Sequence, residues 1–596
     1  MAIPEASGRN DQVKRNDKRA MAKVGGWERF FIVGVASLLR FWKLDAKPLW
    51  GDEIYTAFYS LGKSLADVPA ETLLSLDDYW ALLSYPPESG PWQAAYAVTT
   101  YSNHPPLFFM LMNYWLGWWG CSIWSLRSLP VLFGVVSVAG GYYLGRLIGG
   151  AKVGRYTAVL MAVSPYSIYL SQEARHYSLA VAIATFSLLN WLFLLKHSFA
   201  QERLDKERLV PADSIKSDSI KSESIKAARL DRSKYHWIAW ISLNSLGFWV
   251  HYFYVFCIAA QWAIVLCRLW QQRSVASAQR LARQWLGAMG MTLLLCAPLL
   301  PTVLSHLQAE GNTSWLSRSI PWWQTLVLPW IQSMAAGVFM LVLLPVEAGS
   351  IWVQVLSAIA MLGVFWLVVQ QSILGLRSTQ LPGREGHRAS PKERFRESFR
   401  ERPLVSYGLC VLTFIFIVTY VSGKDLTVAP RYLFTLYPAV AAIIASRLAH
   451  RRWVLGIAIA AGLLSQVFIT HNLALLKPYL PGQIGAQLAA SSQPTIVLIS
   501  PPPPFFQSRI FSYIFAIPRR ANTLVGLTDS APSEEWALRR SDIEGRSLDS
   551  FTLWLVEVHR QDPFPPAVSL PNSLCLPQGK TLTTQGTKQQ QYHCKP

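Results

Sequence analysis

The sequence predicts an all-α protein that crosses a membrane many times and ends in a small α/β domain outside the membrane. Of its 596 residues, 52% are apolar and only 15% are charged, whereas soluble domains carry about 25% charged residues. Long apolar runs alternate with basic loops, and the chain has 25 tryptophans, a residue enriched at membrane interfaces. The net charge of +20 therefore indicates basic cytoplasmic loops and not a nucleic-acid partner.

The first apolar run follows a basic tail. Residues 1–26 are polar and rich in Lys and Arg, so we expect them in the cytoplasm. The run 30–39 is too short to cross a hydrocarbon core about 30 Å thick, unless Arg29 and Arg40 reach toward the two membrane surfaces. A cleaved signal peptide is the alternative. No convincing small-residue cleavage site follows the run, which favours an uncleaved first helix.

Residues 43–126 form a predicted outer loop without a clear span. Within it, the aromatic stretch Pro105–Trp119 is short for a span and predicts a helix that lies in the membrane interface. Ten apolar runs follow the loop, and with the first helix they predict about eleven spans. These runs lie at 128–145, 156–172, 178–195, 236–251, 253–267, 285–304, 350–370, 404–421, 432–446 and 453–470.

The distribution of basic residues orients this arrangement. With the N-terminus in the cytoplasm, the inner segments hold 35 of the 55 Lys and Arg residues. The outer loops, without the C-terminal region, hold nine basic and twelve acidic residues. Treating 105–119 as a span would move the basic turn 146–155 to the outside, against the positive-inside rule. We therefore expect a multi-pass protein, most simply of a plasma or inner membrane, with a cytoplasmic N-terminus.

The predicted membrane domain covers residues 27–472 and contains two polar cytoplasmic insertions. Insertion 198–234 includes the five-residue repeat SIKSDSIKSESIK, and insertion 372–403 is a mixture of Arg and Glu. Neither can bury apolar surface, so we expect disorder or a loose amphipathic helix in both. A further outer loop is predicted at 305–349.

The odd number of spans places residues 473–596 outside the cytoplasm. Thr495–Ile499 and Phe551–Val558 are apolar runs typical of strands, and Ile484–Ala490 is typical of a helix, which together predict a small α/β domain. Cys575 and Cys594 lie in this domain, and an oxidising compartment would allow them to pair.

Two acidic sites lie just outside predicted spans on the same face. Asp52 and Glu53 follow Trp50 about ten residues after the first span, and Glu173 precedes Arg175 between the third and fourth spans. Acids at membrane depth are costly and are therefore functional candidates. The alternative is that each is a solvated loop charge beside the lipid headgroups. Their position on one face favours a shared site.

Around these acids, an ordered set of motifs resembles the GT-C superfamily of membrane glycosyltransferases. The resemblance is to the protein O-mannosyltransferase and aminoarabinose-transferase-like branch, and it is dense over residues 27–260. Beyond them it is thin apart from the region of Arg431, and nothing in the C-terminal region matches. The motifs are LWGDEIY (49–55), HPPL (104–107), LRSLP (126–130), YLGR (143–146), SQEAR (171–175), HYF (251–253) and PRYL (430–433).

The resemblance implies an inverting transfer from a polyprenyl-phosphate-linked sugar to an acceptor outside the cytoplasm, which can be a protein, a lipid or a glycan. Asp52 would be the catalytic base, since such a transfer needs a carboxylate to take the acceptor's proton. Glu53 would orient the acceptor or the base, and Glu173 would hold the sugar or the acceptor. Arg175 would pair with Glu173 or bind the phosphate. The alternative for Glu173 and Arg175 is a structural salt bridge.

Four further residues complete the expected substrate-binding set. Arg431 and Lys424 lie near the outer mouth of the tenth predicted span, where cations suit a departing phosphate. An interfacial arginine that only extends toward the headgroups is the alternative for Arg431. His104 is either a donor to the phosphate or an ordinary residue at the start of the interfacial helix. Tyr177 closes the second acidic motif.

No cofactor and no catalytic metal are expected. The sequence has no CxxC or HExxH pattern, and Glu173 has no acidic neighbour that would complete a metal-binding pair, although a divalent metal is not excluded. Two other functions stay open: a lipid or solute transporter, and a non-catalytic partner in glycan assembly. A transporter more often has inverted repeats and interrupted helices, and no similarity between two halves is found.

Overall fold

A computed structural model describes residues 27–595, apart from 70–71, 209–218, 272–275, 310–315, 318–319, 381–400, 475–479, 491–492, 501–506, 520–521, 528–549, 559–562, 571–572 and 585–586. The predicted tail 1–26, most of the repeat in the first insertion, and the Arg/Glu mixture in the second lie outside the described residues or have side chains that are not described. The fold class is confirmed: the chain is mostly helical and ends in a small domain built on a sheet.

The described part of the N-terminal half contains ten α-helices. Helix α1 covers residues 27–41, and the outer loop after it carries four short helices and β1 (Leu73–Ser75). The helices of the loop are α2 (Gly51–Ser60), α3 (Leu76–Ala81), α4 (Pro91–Tyr101) and α5 (Leu107–Trp119). The remaining five are α6 (Ile123–Val163), α7 (Pro165–Ser171), α8 (Tyr177–Arg208), α9 (Ser219–Val250) and α10 (Val255–Gln271).

The C-terminal half continues the helical domain and then builds the sheet. Its helices are α11 (Ala276–Cys296), α12 (Leu300–Gln308), α13 (Trp322–Phe339), α14 (Ile351–Gln380), α15 (Arg402–Ser422), α16 (Tyr437–Arg447), α17 (Arg452–Thr470), α18 (Pro481–Leu488) and α19 (Gln507–Ile514). Its strands are β2 (Thr495–Ser500), β3 (Thr523–Leu527), β4 (Phe551–Val558), β5 (Val568–Leu570), β6 (Ser573–Thr584) and β7 (Thr587–Lys595).

The described residues include seven helical segments that are long and apolar enough to cross a membrane. They are Ile123–Val163, Tyr177–His197, Tyr252–Gln271, Leu281–Gln308, Ile351–Leu374, Arg402–Ser422 and Arg452–Thr470. The protein is therefore an integral multi-pass membrane protein, while the expected number of eleven spans is not confirmed. Within α6, Gly150 has φ 82° and interrupts the helix. Met161 lies against Gly141 and Thr157 lies against Gly145, so the predicted second and third spans are two helices that fold back on each other at the predicted basic turn. The predicted outer loop 305–349 contains helix α13.

Arg40 joins the end of α1 to the break between α6 and α7. It is fully buried and does not reach toward the membrane surface as the sequence predicted. Its guanidinium donates hydrogen bonds to the carbonyls of Met161 and Ala162, both at 2.9 Å, and to Ser167 Oγ at 2.8 Å. The last carbonyls of a helix lack partners within that helix. Arg40 supplies those partners, which explains why a charged side chain is stable in this position.

The C-terminal domain is a seven-stranded sheet in the order β1-β3-β2-β4-β7-β6-β5. Strands β3, β2 and β4 are parallel, whereas β4, β7, β6 and β5 are antiparallel neighbours. The predicted strands at 495–499 and 551–558 and the predicted helix near 484–490 are confirmed. A disulfide between Cys575 and Cys594 joins β6 to β7.

One strand of this sheet comes from the outer loop. Leu73, Leu74 and Ser75 of β1 pair with Gly526, Val525 and Leu524 of β3, and the Arg519 guanidinium binds the Asp77 carboxylate at 2.7 Å. Loop 43–126 and the C-terminal domain are thus parts of one sheet across about 450 residues of sequence. They must therefore lie on the same side of the membrane.

This shared sheet gives a topology prediction. In a variant without the five free cysteines, single cysteines at the exposed positions Glu88 and Lys580 should both react with an impermeant thiol reagent in whole cells. A cysteine at exposed Ala151, beside the kink of α6, should react only after the membrane is opened. Labelling at 88 without labelling at 580 would contradict the shared sheet, and labelling at 151 alone would reverse the predicted orientation.

Candidate active site

Helix α2 positions the first acidic motif. Trp50 is the N-cap of α2, and its backbone N–H donates to the Glu53 carboxylate at 3.3 Å. Asp52 and Glu53 occupy the first turn, where negative charge is favoured by the helix dipole. Successive helical residues point about 100° apart, so the two neighbouring carboxylates face different surroundings.

Glu53 is fully buried and binds Arg127 of α6. Arg127 Nε and Nη2 donate to the two carboxylate oxygens at 2.8 and 2.7 Å, and the Ala174 N–H donates to the same carboxylate at 2.9 Å. The remaining N–H groups of Arg127 donate to the carbonyls of Leu44, Lys47 and Pro48. This pair ties together α2, α6, the loop before α2 and the SQEAR turn.

Asp52 points to a different side of α2 and meets Arg431. Arg431 belongs to the 3₁₀ turn Pro430–Leu433, and its Nη1 lies 3.2 Å from Asp52 Oδ2. The Asp52 and Arg431 side chains are 26% and 17% exposed, so the pair is shielded but not fully buried. The structure thus brings the predicted base and the predicted phosphate ligand into direct contact, although nearly 380 residues separate them in the sequence.

Aromatic rings enclose the Arg431 guanidinium. Its central carbon lies 5.4 Å from the ring centroid of Trp50 and 5.8 Å from those of Tyr177 and Tyr432. The Tyr166 hydroxyl donates to the Pro430 carbonyl at 3.2 Å and holds the turn against α7. Such rings attract the cation and fix the plane of the guanidinium. Arg431 is therefore held in place by packing on all these rings. An arginine that only extends toward the lipid headgroups would not need such contacts.

Arg175 and His104 lie on the other side of Asp52. Arg175 Nη1 donates to the Asp52 carbonyl at 3.1 Å and to Thr56 Oγ1 at 3.2 Å, and its Nη2 lies 2.9 Å from His104 Nε2. Since a guanidinium can only donate, His104 Nε2 accepts, and Nδ1–H donates to Ser102 Oγ at 2.8 Å. Burial and then the positive charge of Arg175 hold the pKa of His104 well below its ordinary value, so the imidazole is neutral at physiological pH.

Two more histidines, His176 and His251, form a row of neighbouring rings with His104. The ring centroids of His104 and His176 are 5.1 Å apart, and those of His176 and His251 are 4.6 Å apart. His176 is fully buried, and neither of its ring nitrogens has a hydrogen-bond partner within the described part of the chain. Tyr177 packs on both His176 and His251. The residues that the structure describes contain no group of three or more His, Cys, Asp or Glu side chains suited to hold a metal ion.

Glu173 lies in the wall of a cavity of about 430 Å³ beside this network. Glu173 is buried, and its carboxylate interacts with the side chain of Tyr169. Trp50, Glu53 and Arg127 also line the cavity, so it adjoins the two acidic motifs. The loop after α1 and residues after α17 also line it.

The structure brings together seven of the eight predicted site residues. They are Asp52, Glu53, His104, Glu173, Arg175, Tyr177 and Arg431. Lys424 is half-buried in the turn after α15, where its backbone N–H donates to Ser422 Oγ, and it is not a member of the network described above. The sequence missed Arg127 and His176 as members, although Arg127 stands in the LRSLP motif and His176 directly follows SQEAR.

Comparison with known proteins gives distant structural neighbours only. No protein-family model matches the chain, and no curated protein matches it by sequence. The crystal structure of ArnT from Cupriavidus metallidurans bound to undecaprenyl phosphate is similar with 12% identity and a TM-score of 0.47, covering 95% of this chain and 98% of that one. Its apo state has 13% identity and a TM-score of 0.39, with coverage of 96% and 98%.

A second type of neighbour is the archaeal oligosaccharyltransferase AglB from Archaeoglobus fulgidus, in complex with an inhibitory peptide and a dolichol-phosphate. It has 10% identity and a TM-score of 0.42, with coverage of 89% of this chain and 69% of that one. Both proteins belong to the GT-C superfamily, which is the superfamily that the sequence motifs resemble. The similarity is distant, so the function of this chain has to come from its own residues.

The Glu53–Arg127 pair gives a stability prediction. Glu53→Gln leaves Arg127 as a buried charge without its carboxylate, and breaking such a pair costs about 3–5 kcal/mol. We expect a lower apparent melting temperature and poorer expression. The control is Arg155→Met, which breaks the Arg155–Glu28 pair, whose side chains are 40% and 42% exposed, and exposed pairs contribute about 1 kcal/mol or less. A Glu53→Gln variant that is fully stable yet inactive would instead assign Glu53 to the chemistry.

Proposed function

We propose that this protein is a membrane glycosyltransferase that moves a sugar from a polyprenyl phosphate to an acceptor outside the cytoplasm, with inversion at the anomeric carbon. The observation that carries the proposal is the contact between Asp52 and Arg431 at 3.2 Å. A carboxylate that can accept a proton lies there beside a cation that suits a phosphate, and both side chains are shielded but not fully buried. The polyprenyl carrier and the external acceptor come from the motif resemblance.

The proposed reaction is a single displacement. A hydroxyl or amine of the acceptor attacks the anomeric carbon while Asp52 takes its proton. The bond between that carbon and the phosphate oxygen breaks, and its electron pair leaves with the polyprenyl phosphate. Arg431 would bind the phosphate through its planar fork of N–H donors and stabilise the charge that develops there. The rings of Trp50, Tyr177 and Tyr432 would keep this fork oriented before the donor binds.

The surrounding residues support these two. We propose that Glu53 positions α2 and does not touch the substrate, since its carboxylate is engaged by Arg127 and two backbone N–H groups. Arg175 would place a second positive charge near the phosphate and hold the backbone of Asp52. Neutral His104 fixes the orientation of Arg175. Glu173 would bind hydroxyl groups of the sugar or the acceptor. The role of Lys424 as an outer ligand of the phosphate stays a prediction.

We also propose that the transfer needs no metal ion. A divalent cation would serve to neutralise the leaving phosphate, and Arg431 and Arg175 can supply that charge. The Arg175 guanidinium holds the backbone of Asp52, and the Tyr166 hydroxyl and aromatic rings hold Arg431 and its turn; one carboxylate between two guanidinium groups is not the carboxylate-rich set that Mg²⁺ or Mn²⁺ prefers. Transfer should accordingly persist in the presence of EDTA.

The role of Asp52 is tested by Asp52→Asn, which keeps the shape and removes the base. Loss of a general base typically costs about 10²–10⁴ in rate, so transfer of labelled sugar from membrane extracts to acceptor should fall by that factor. Asp45→Asn is the control, since Asp45 is an exposed acid in the same loop. Near-normal turnover in Asp52→Asn would remove Asp52 as the base. If the wild type itself transfers no sugar from any polyprenyl phosphate, a transporter or a non-catalytic partner becomes the better assignment.

The role of Arg431 is tested by a graded pair of variants. Arg431→Lys keeps the charge but loses the bidentate geometry, and Arg431→Ala loses both. A charge-assisted hydrogen bond contributes about 1.5–3 kcal/mol, so Arg431→Ala should lose about ten- to a hundredfold in kcat/KM for the donor, with Arg431→Lys in between. Arg519→Ala, at a side chain that is 61% exposed, is the control. An unchanged KM for the donor in Arg431→Ala would contradict phosphate binding at this residue.

A further inference from the structure

We infer that helices α4 and α5 of the outer loop both lie in the membrane interface, and that they hold the turn with His104 at the depth of the lipid headgroups. The sequence predicted such a position for α5 alone. The partner of these two helices is the lipid surface itself, independent of any reaction at the site.

The outer loop divides into a charged part and an uncharged part. Residues 43–90 contain eleven Asp, Glu, Lys and Arg residues, whereas residues 91–126 contain none. The uncharged part includes both α4 and α5. A surface helix of a soluble protein carries charged or polar residues on its outer face. A helix in a membrane interface instead presents aromatic and aliphatic residues to the acyl chains, and the composition of residues 91–126 fits this second kind.

The exposed sides of the two helices are aromatic. Trp92 and Tyr96 lie one turn apart on α4 and are 76% and 65% exposed, and Trp118 on α5 is 80% exposed. Trp and Tyr are enriched where a protein meets the membrane–water interface, because their rings are apolar while their N–H and O–H groups can reach water. A lipid surface would therefore remove the apolar area of these rings from water, which is favourable.

The polar side chain of α5 points inward. Apart from the N–H and O–H groups of its aromatic residues, α5 has one polar side chain, that of Asn113. Asn113 is fully buried, and its amide donates to the Ser60 carbonyl of α2 at 2.9 Å and to Ser89 Oγ at 2.8 Å. A helix on a soluble surface has the reverse arrangement, with its apolar side inward. The outer side of α5 therefore suits apolar surroundings.

Both helices contact the ends of apolar spans. At the C-terminal end of α4, the Thr99 carbonyl accepts a hydrogen bond from His306 Nε2 at 2.8 Å, and His306 lies two residues before the end of a span. In α5, Trp115 Nε1 donates to the Ser125 carbonyl at 3.0 Å, and Ser125 lies near the start of another span. Spans end where the hydrocarbon core meets the headgroups. These contacts therefore hold α4 and α5 at the depth of that boundary.

The turn between the two helices carries a residue of the candidate site. Residues 102–106 join α4 to α5, and His104 in this turn accepts a hydrogen bond from Arg175 at 2.9 Å. With α4 and α5 in the interface, His104 and Arg175 lie near the level of the lipid headgroups. The phosphate groups of membrane lipids lie at the same level, so the membrane itself would bring a lipid phosphate to the depth of Arg175.

The test measures the depth of nitroxide labels on the purified full-length protein in phosphatidylcholine vesicles. In a variant without the five free cysteines, Trp92→Cys and Tyr96→Cys each carry one label. Collisions of the label with molecular oxygen are compared with collisions with the water-soluble complex nickel ethylenediaminediacetate. We expect both labels to lie about 5–10 Å into the boundary between headgroups and acyl chains, as a label at Trp118→Cys should. Because residues 91–126 carry no charge, adding phosphatidylglycerol should not change these depths.

Matched control positions calibrate the depth. Glu88→Cys, three residues before α4, and Lys580→Cys in the C-terminal sheet replace exposed residues, and their labels should collide freely with the nickel complex. Leu294→Cys replaces an exposed residue near the middle of a span, and its label should lie deeper than those on α4. Thr100→Cys replaces another exposed residue of α4 and leaves every aromatic ring in place, and its label should also be immersed.

Two results would overturn the inference. Labels at 92, 96 and 100 that collide with the nickel complex as freely as the label at 88 would place the aromatic side of α4 in water, where it would suit a protein partner. Immersion of the label at 118 alone would show that α5 meets the membrane without α4. Neither result depends on transfer of a sugar, so the proposed reaction can fail while the position of α4 and α5 stands.

Discussion

The arrangement of the site depends on one buried ion pair, that between Glu53 and Arg127. A carboxylate that is fully removed from water is stable only when it is paired and its remaining lone pairs are satisfied. Arg127 and the backbone N–H groups of Trp50 and Ala174 meet this requirement. To do so they must bring α2, α6 and the SQEAR turn to one point. The direction in which Asp52 faces is a consequence of that constraint.

Positive charge is concentrated on the other face of α2. Arg431 contacts the Asp52 side chain and Arg175 contacts its carbonyl, while the histidine next to them is kept neutral because burial and Arg175 lower its pKa. Two arginines thus lie beside the one carboxylate of Asp52 in a shielded place. Such a place attracts a phosphate more strongly than an exposed cluster would, because water screens it less.

The C-terminal domain contributes to the site through the outer loop. Its sheet accepts β1 as an edge strand, and Phe511 of α19 packs on Phe58 of α2 at 5.7 Å between ring centroids. Pro481, Gly482 and Gln483 of α18 form part of the cavity wall. The helix that carries Asp52 is thus held from the membrane side by Arg127 and from the outside by the C-terminal domain.

The sequence by itself determined the membrane class, the strands and helix of the C-terminal domain, and most of the residues that meet at the candidate site. Hydropathy and charge are sums over many residues, and the LWGDEIY, SQEAR and PRYL motifs are short continuous segments. Both kinds of signal can therefore be recognised without knowing the fold. Only the tertiary structure decided that Asp52 meets Arg431 while Glu53 meets Arg127, because adjacent residues of a helix face different partners and both partners are far away in the chain. The buried position of Arg40 and the shared sheet of loop and C-terminal domain were decided in the same way. Each depends on which carbonyls or strand edges remain without partners after the helices have packed, and no local pattern of residues records that.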